Sequence, residues 1–157
     1  MPRYTVATKN ENAVLGLNTL LLSASITPVP DIVALAATAS NDGIVTLAGT
    51  PAIGAFAVAS ANVGRSATIT ASADSGFVTL PLQMTLCQTS PATAACMAPP
   101  AATVTTTITA NATPTFSIFL AGTGAIPFDP VNNRVFVRFK DFNGDTRGLT
   151  SVAVRTP

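Results

Sequence analysis

VTLPLQMTL, residues 78–86, puts an apolar side chain at every second position, with Thr79, Pro81, Gln83 and Thr85 between them. Successive side chains of a β-strand point to opposite faces, so a period of two describes a strand with one buried and one exposed face. Working outward, three more stretches repeat the pattern. Ala102, Val104, Thr106, Ile108 and Ala110 alternate with Thr103, Thr105, Thr107 and Thr109, and Ala67, Ile69, Ala71 and Ala73 alternate with Thr68, Thr70 and Ser72. Val135, Val137 and Phe139 alternate with Arg134, Arg138 and Lys140, although Phe136 interrupts the polar side. Weaker strand candidates are residues 32–37, 43–47, 56–61, 115–120 and 150–155. The alanines of residues 34–39 would suit a helix by propensity, but their β-branched, threonine-rich surroundings favour a strand.

Turn residues separate these segments: Ser40-Asn41-Asp42-Gly43, Gly49-Thr50-Pro51, Asp74-Ser75-Gly76, Asn111-Ala112-Thr113-Pro114 and Gly122-Thr123-Gly124. Short strands punctuated this regularly predict an all-β fold, an immunoglobulin-like antiparallel β-sandwich. The segment after Lys140 holds Asn143-Gly144 between two apolar runs, which predicts a hairpin with a type I′ turn, both central residues accepting positive φ.

Composition narrows the class further. Charged residues make up 10% of the 157, against roughly 25% in an average soluble domain. Alanine and threonine dominate instead, as in secreted and cell-surface β-proteins. A formal net charge of +1 offers no electrostatic attraction for nucleic acid or an anionic membrane. No apolar run reaches the length that spans a bilayer, so no membrane insertion is expected. Cys87 and Cys96 enclose QTSPATAA and fit neither metal spacing nor a C-x-x-C redox motif. A local disulfide clasping a loop is the first reading, which implies an oxidising compartment; two unpaired small hydrophobes are the alternative.

The N-terminal segment reads differently. Arg3 and Lys9 precede an apolar stretch, but Asn10, Glu11, Asn12 and Asn18 interrupt it, which argues against a signal peptide. Residues 3–9 and 17–25 read as two strands, followed by the stiff Thr27-Pro28-Val29-Pro30. A hairpin alone cannot bury its apolar face. Residues 1–27 are therefore expected to be the last two strands of a preceding domain, with the module proper at 28–157. The hairpin would then lie on its own module or self-associate with another copy through its edges.

Four strings carry a resemblance: GLNTLLLSASITPVPDIVALAATAS (Gly16 to Ser40), LCQTSPATAACM (Leu86 to Met97), NATPTFSIF (Asn111 to Phe119) and FDPVNNRVFVRFKDFNGDTRGLTSVAVRT (Phe128 to Thr156). They resemble the repeat modules of large, uncharacterised secreted proteobacterial proteins, whose tandem domains are immunoglobulin-like. The resemblance implies an extracellular, cell-surface or periplasmic setting, a sandwich fold and neighbouring domains as partners. It brings no catalytic or ligand residue with it.

Catalytic chemistry is poorly provided for. The chain has no histidine, which removes imidazole acid–base catalysis, the usual triads and nearly all zinc sites. Neither a G-x-S-x-G elbow nor a phosphate-binding loop is present. Asp31, Asp42, Asp74, Asp129, Asp141 and Asp145 all sit at turn signals, where carboxylates bond to nearby amides, so no catalytic pair, metal or cofactor is expected. Asp141, Asn143 and Asp145 resemble the start of a calcium loop, but Gly144 comes two positions early and Val152 stands where a glutamate is needed; a hairpin turn is the first reading and weak calcium binding the alternative. Arg134, Arg138 and Lys140 share parity on one strand and form a candidate face for an anionic ligand, the plainer reading being a solvated outer face. Carbohydrate-binding sandwiches stack sugars on exposed aromatics, and this chain has no Trp and one Tyr. Its eight Phe mostly suit core positions, with Phe119, Phe136 and Phe142 the candidates for exposure. The expectation is a non-catalytic structural or adhesive module, with a glycan- or surface-ligand-binding module as the alternative.

Overall fold

Alternation becomes structure throughout residues 25–157, the part of the chain that the computed structural model describes. Among these residues the strands are β1 (Ile32–Ala37), β2 (Ile44–Thr46), β3 (Ala52–Asn62), β4 (Ala67–Asp74), β5 (Leu82–Thr89), β6 (Thr103–Ile108), β7 (Thr115–Gly122), β8 (Arg134–Lys140) and β9 (Thr146–Arg155). The first sheet runs β1-β3-β7-β5 and the second β2-β9-β8-β4-β6. Every named pairing is antiparallel except β2, which lies parallel to β9. The chain is an all-β, immunoglobulin-like sandwich, as the periodicity predicts.

The inner faces supply the core. Phe56 and Val58 on β3, Leu86 on β5 and Phe116, Ile118 and Leu120 on β7 meet Ile69, Val135, Val137, Phe139, Val152 and Val154 from the second sheet. Phe116 and Phe139 join the sheets edge to face, with ring centroids 5.4 Å apart. Leu47 and Ile126, both outside strands, close the interior. Burial of such side chains contributes about 1.5–3 kcal/mol each before conformational entropy is counted.

Position in the sheets and order in the chain part company at one place. β4 and β6 are hydrogen-bonded neighbours, yet β5 lies between them in sequence and belongs to the other sheet. The chain thus leaves β4, adds an edge strand to the first sheet and returns to add an edge strand to the second.

Two expectations need correcting. The strand expected over 78–86 begins only at Leu82, because Pro81 lacks an N–H for the ladder, and it continues to Thr89. Val78 and Leu80 still pack on the core, so the apolar face was legible where the strand boundary was not. The β8–β9 turn is not type I′. Gly144 has positive φ (82°) and Asn143 does not, while the Gly144 amide donates to the Asp141 carbonyl at 2.9 Å. The Asp141 carboxylate accepts from the Asn143 and Asp145 amides, holding a wider loop beside a register shift at Phe139 and Lys140. The hairpin expected over residues 1–27 lies, up to residue 24, outside the described residues.

Candidate functional site

Charge divides the two sheets. No strand residue of the first sheet is charged, whereas Asp74, Arg134, Arg138, Lys140, Arg147 and Arg155 all stand on strands of the second. The outer face of the first sheet carries exposed Val33, Leu35 and Ile53 and partly exposed Phe119. Register explains its relief. Ala55, Phe119 and Thr85 form one rung across β3, β7 and β5, and Ile53, Ala121 and Gln83 form the next. The small side chains of Ala55 and Ala121 leave a hollow of about 550 Å³ walled by Ile53, Phe119, Gln83 and Thr85. It holds one ring, one amide, one hydroxyl and no ionisable group.

The basic face does not survive as expected. Arg134, Arg138 and Lys140 do share the outer face of the second sheet, but Arg134 is 3% exposed. Its guanidinium donates to the Ser151 hydroxyl at 3.0 and 3.1 Å, to the Ser151 carbonyl at 3.2 Å and to the Pro130 carbonyl at 2.8 Å. Burial pushes its pKa below the ordinary arginine value. It fastens the 127–133 segment to β8 and β9 and is not available to a ligand. Arg138 grips Asp74 with two bonds, 2.6 and 3.2 Å, and lies over the Phe136 ring. Of the three, only Arg138 has an ionic partner among the described residues. Parity was sufficient to place these side chains on one face; the loop that covers Arg134 left no periodic signal.

The acids are largely occupied by turns and arginines. Asp42 accepts from the Ile44 amide, Asp74 from Gly76, and Asp129 from Val131 and Asn132. Asp141 takes two backbone amides and the Arg147 guanidinium at 2.7 Å, and Arg147 also donates to Asp145 at 3.0 Å. Burial raises the Asp141 carboxyl, but the Arg147 bond and the two amides outweigh it and leave it below the ordinary range. Turn amides and Arg147 thus occupy both Asp141 oxygens and one oxygen of Asp145.

Cys87 and Cys96 form the expected disulfide. A formed disulfide with a buried Cys87 belongs to an oxidising compartment rather than the cytosol, and no helix among the described residues is long and apolar enough to cross a membrane. Neither a family model nor a curated protein matches the chain.

Two features escaped the sequence reading. Phe56, Phe116 and Phe139 are the buried phenylalanines, while Phe77, Phe119, Phe128 and Phe142 are exposed, so most of the eight do not belong to the core. Asn62, fully buried, accepts from the Asp31 and Gly64 amides and donates to the Arg65 and Ile108 carbonyls. A lone Asn at the end of an apolar strand carries no local mark of such a role.

Proposed function

We propose that this chain is a non-catalytic structural or adhesive module of a secreted or cell-surface bacterial protein, of the immunoglobulin-like repeat kind that its sequence resembles. The observation that supports this best is the uncharged outer face of the first sheet. Monomeric domains rarely expose continuous apolar surface without an interaction to serve. Its partner would be neutral and apolar, since no charged strand residue is there to recognise an ion. Asp74, Asp141 and Asp145 are paired with Arg138 and Arg147, and Asp42 and Asp129 accept turn amides.

A second reading has one specific observation in its favour. Phe119 stands beside Gln83 and Thr85 at the hollow, an aromatic surface flanked by hydrogen-bonding groups, which is the equipment for binding a neutral sugar ring. A glycan array probed at high concentration with the parent chain and with Phe119→Ala separates the two. Binding that Phe119→Ala abolishes would establish the glycan module. Equal, background signals for both proteins would leave the structural or adhesive module, whose face is then tested by the charge variants described in the Discussion.

A further inference from the structure

Four strands end the two sheets, β1 and β5 the first, β2 and β6 the second. A free sheet edge is a template for another strand, and three of these four are blunted. β2 has three residues. β1 lies against β9, so closely that a Cβ on Gly148 would collide with the Ile32 carbonyl. β5 is covered by residues 96–101, where Leu86 and Ala101 exchange two bonds. β6 has none of these protections. Its six residues, TVTTTI, include no charge, proline or glycine, and its ladder with β4 runs without a bulge.

The two ends of β6 show which side is open. The Ala110 amide donates to the Ser66 hydroxyl, just before β4, whereas both backbone groups of Ala101 bond to Leu86 on β5. Alternation between these points turns the backbone groups of Val104, Thr106 and Ile108 towards β4 and those of Thr103, Thr105 and Thr107 outward. Among the described residues no backbone bond reaches that outward side. The Thr103, Thr105 and Thr107 side chains stand exposed on the outer face, and Val104 packs on the core while only half-buried. A strand added here pairs the open amides, meets hydroxyls outside and covers the valine inside.

We infer that the β6 edge binds the β6 edge of a second copy, antiparallel about a two-fold axis at Thr105, joining two five-stranded sheets into one. In that register the sequence complements itself. Thr105 meets Thr105, Thr103 meets Thr107 and Val104 meets Thr106, all β-branched residues that suit a pleated ladder. Hydroxyl faces hydroxyl across the seam, as Thr70 and Thr105 already do at 2.9 Å within the sheet. Such threonine pairs are favourable, whereas like charges directly opposite are not. The charged residue in this row is Lys140, reached from Thr105 through Thr70. In the joined sheets the two Lys140 side chains would stand about 24 Å apart, roughly five strand spacings. That is well beyond the screening length of about 8 Å. One strand per partner buries less than the roughly 800 Å² of a stable complex, so the pairing is expected to grow with concentration. An isologous contact closes on itself and stops at the dimer.

Sedimentation velocity on the full chain carrying Leu35→Lys and Ile53→Lys tests the pairing without contribution from the first sheet. The mass is expected to double with rising concentration and to go no further. Adding Thr105→Lys or Thr105→Glu sets like charges opposite at the axis, so each protein should stay monomeric with its melting midpoint unchanged. An equimolar mixture of the two should regain the dimer. Hydrogen exchange at Thr103, Thr105 and Thr107 should slow as concentration rises, while Val104 and Thr106 stay slow throughout. A monomer at every concentration, a dimer indifferent to Thr105→Lys, or a mixture that stays monomeric overturns the inference. Because β6 belongs to the second sheet, the edge pairing stands or falls independently of what the first sheet binds.

Discussion

Single residues with no catalytic role hold this sandwich at its ends. Asn62 ties the start of β1, the β3–β4 turn and the end of β6 through four side-chain bonds of 2.9–3.2 Å. Asn62→Ala would strip two amides and two carbonyls of their partner at once, at about 1–3 kcal/mol for each group left unsatisfied. Water reaches the more exposed of them, so a total loss of about 2–4 kcal/mol is expected, read as a fall of roughly 10 °C in the melting midpoint. At the opposite face of the same pole, Asp141 titrates below its ordinary value. A carboxyl depressed in the folded state contributes stability above the unfolded pKa of about 3.9, and that stability is lost as pH falls through the folded value. Asp141→Asn should therefore cost about 1.5–3 kcal/mol at pH 7, the range for a hydrogen bond to a charged group. Its melting should also vary less with pH below 4 than the parent's. Equal acid limbs in the two proteins would refute this role.

At the scale of elements, the disulfide is best understood through the edge it guards. β5 is an outer strand of the first sheet, and an unpaired edge invites pairing with other chains. Here residues 96–101 fold back along it. Met97 donates to Gln88, and Leu86 and Ala101 exchange two bonds of 2.8 and 3.0 Å, while the Cys87–Cys96 bond anchors the cover. Pro99 and Pro100 give the covering strip no amides of their own to offer outward. Replacing both cysteines with alanine should cost roughly 2.5–3 kcal/mol on the chain-entropy account. It should also speed hydrogen exchange at Leu86 far more than at Ile118 in the sheet interior. Uniform acceleration at both would mean that the clasp stabilises globally and guards no edge. The clasp's existence was legible in the spacing of two cysteines among turn residues. Its position on an edge was not, because strand order is a long-range property that depends on which sheet β5 joins. The same limit governs the strands and the site. Val78 and Leu80 were correctly assigned to the core, but the ladder began after Pro81. Phe119 was a candidate for exposure, whereas its hollow depends on Ala55 and Ala121, which only register brings beside it.

Across the whole molecule, charge placement separates an ionic sheet from a neutral one, and the consequence can be measured in solution. Val33, Leu35 and Ile53 project outward from the first sheet, with Leu35 69% and Ile53 60% exposed, so polar replacements there meet water and leave the packed interior intact. Surface changes of this kind usually alter stability by no more than about 0.5 kcal/mol. By contrast, Val58 and Ile118, on the inner face of the same sheet in β3 and β7, are fully buried, and a lysine at either should prevent folding. The parent is expected to self-associate with rising concentration through this face in sedimentation velocity, and Leu35→Lys with Ile53→Lys to remove that association while keeping the melting midpoint. The mechanism is direct: two ammonium groups on a face with no charged strand residue must be desolvated before anything apolar can cover it. Self-association that persists in the double variant but disappears when residues 1–27 are deleted would move the contact from the first sheet to the N-terminal segment.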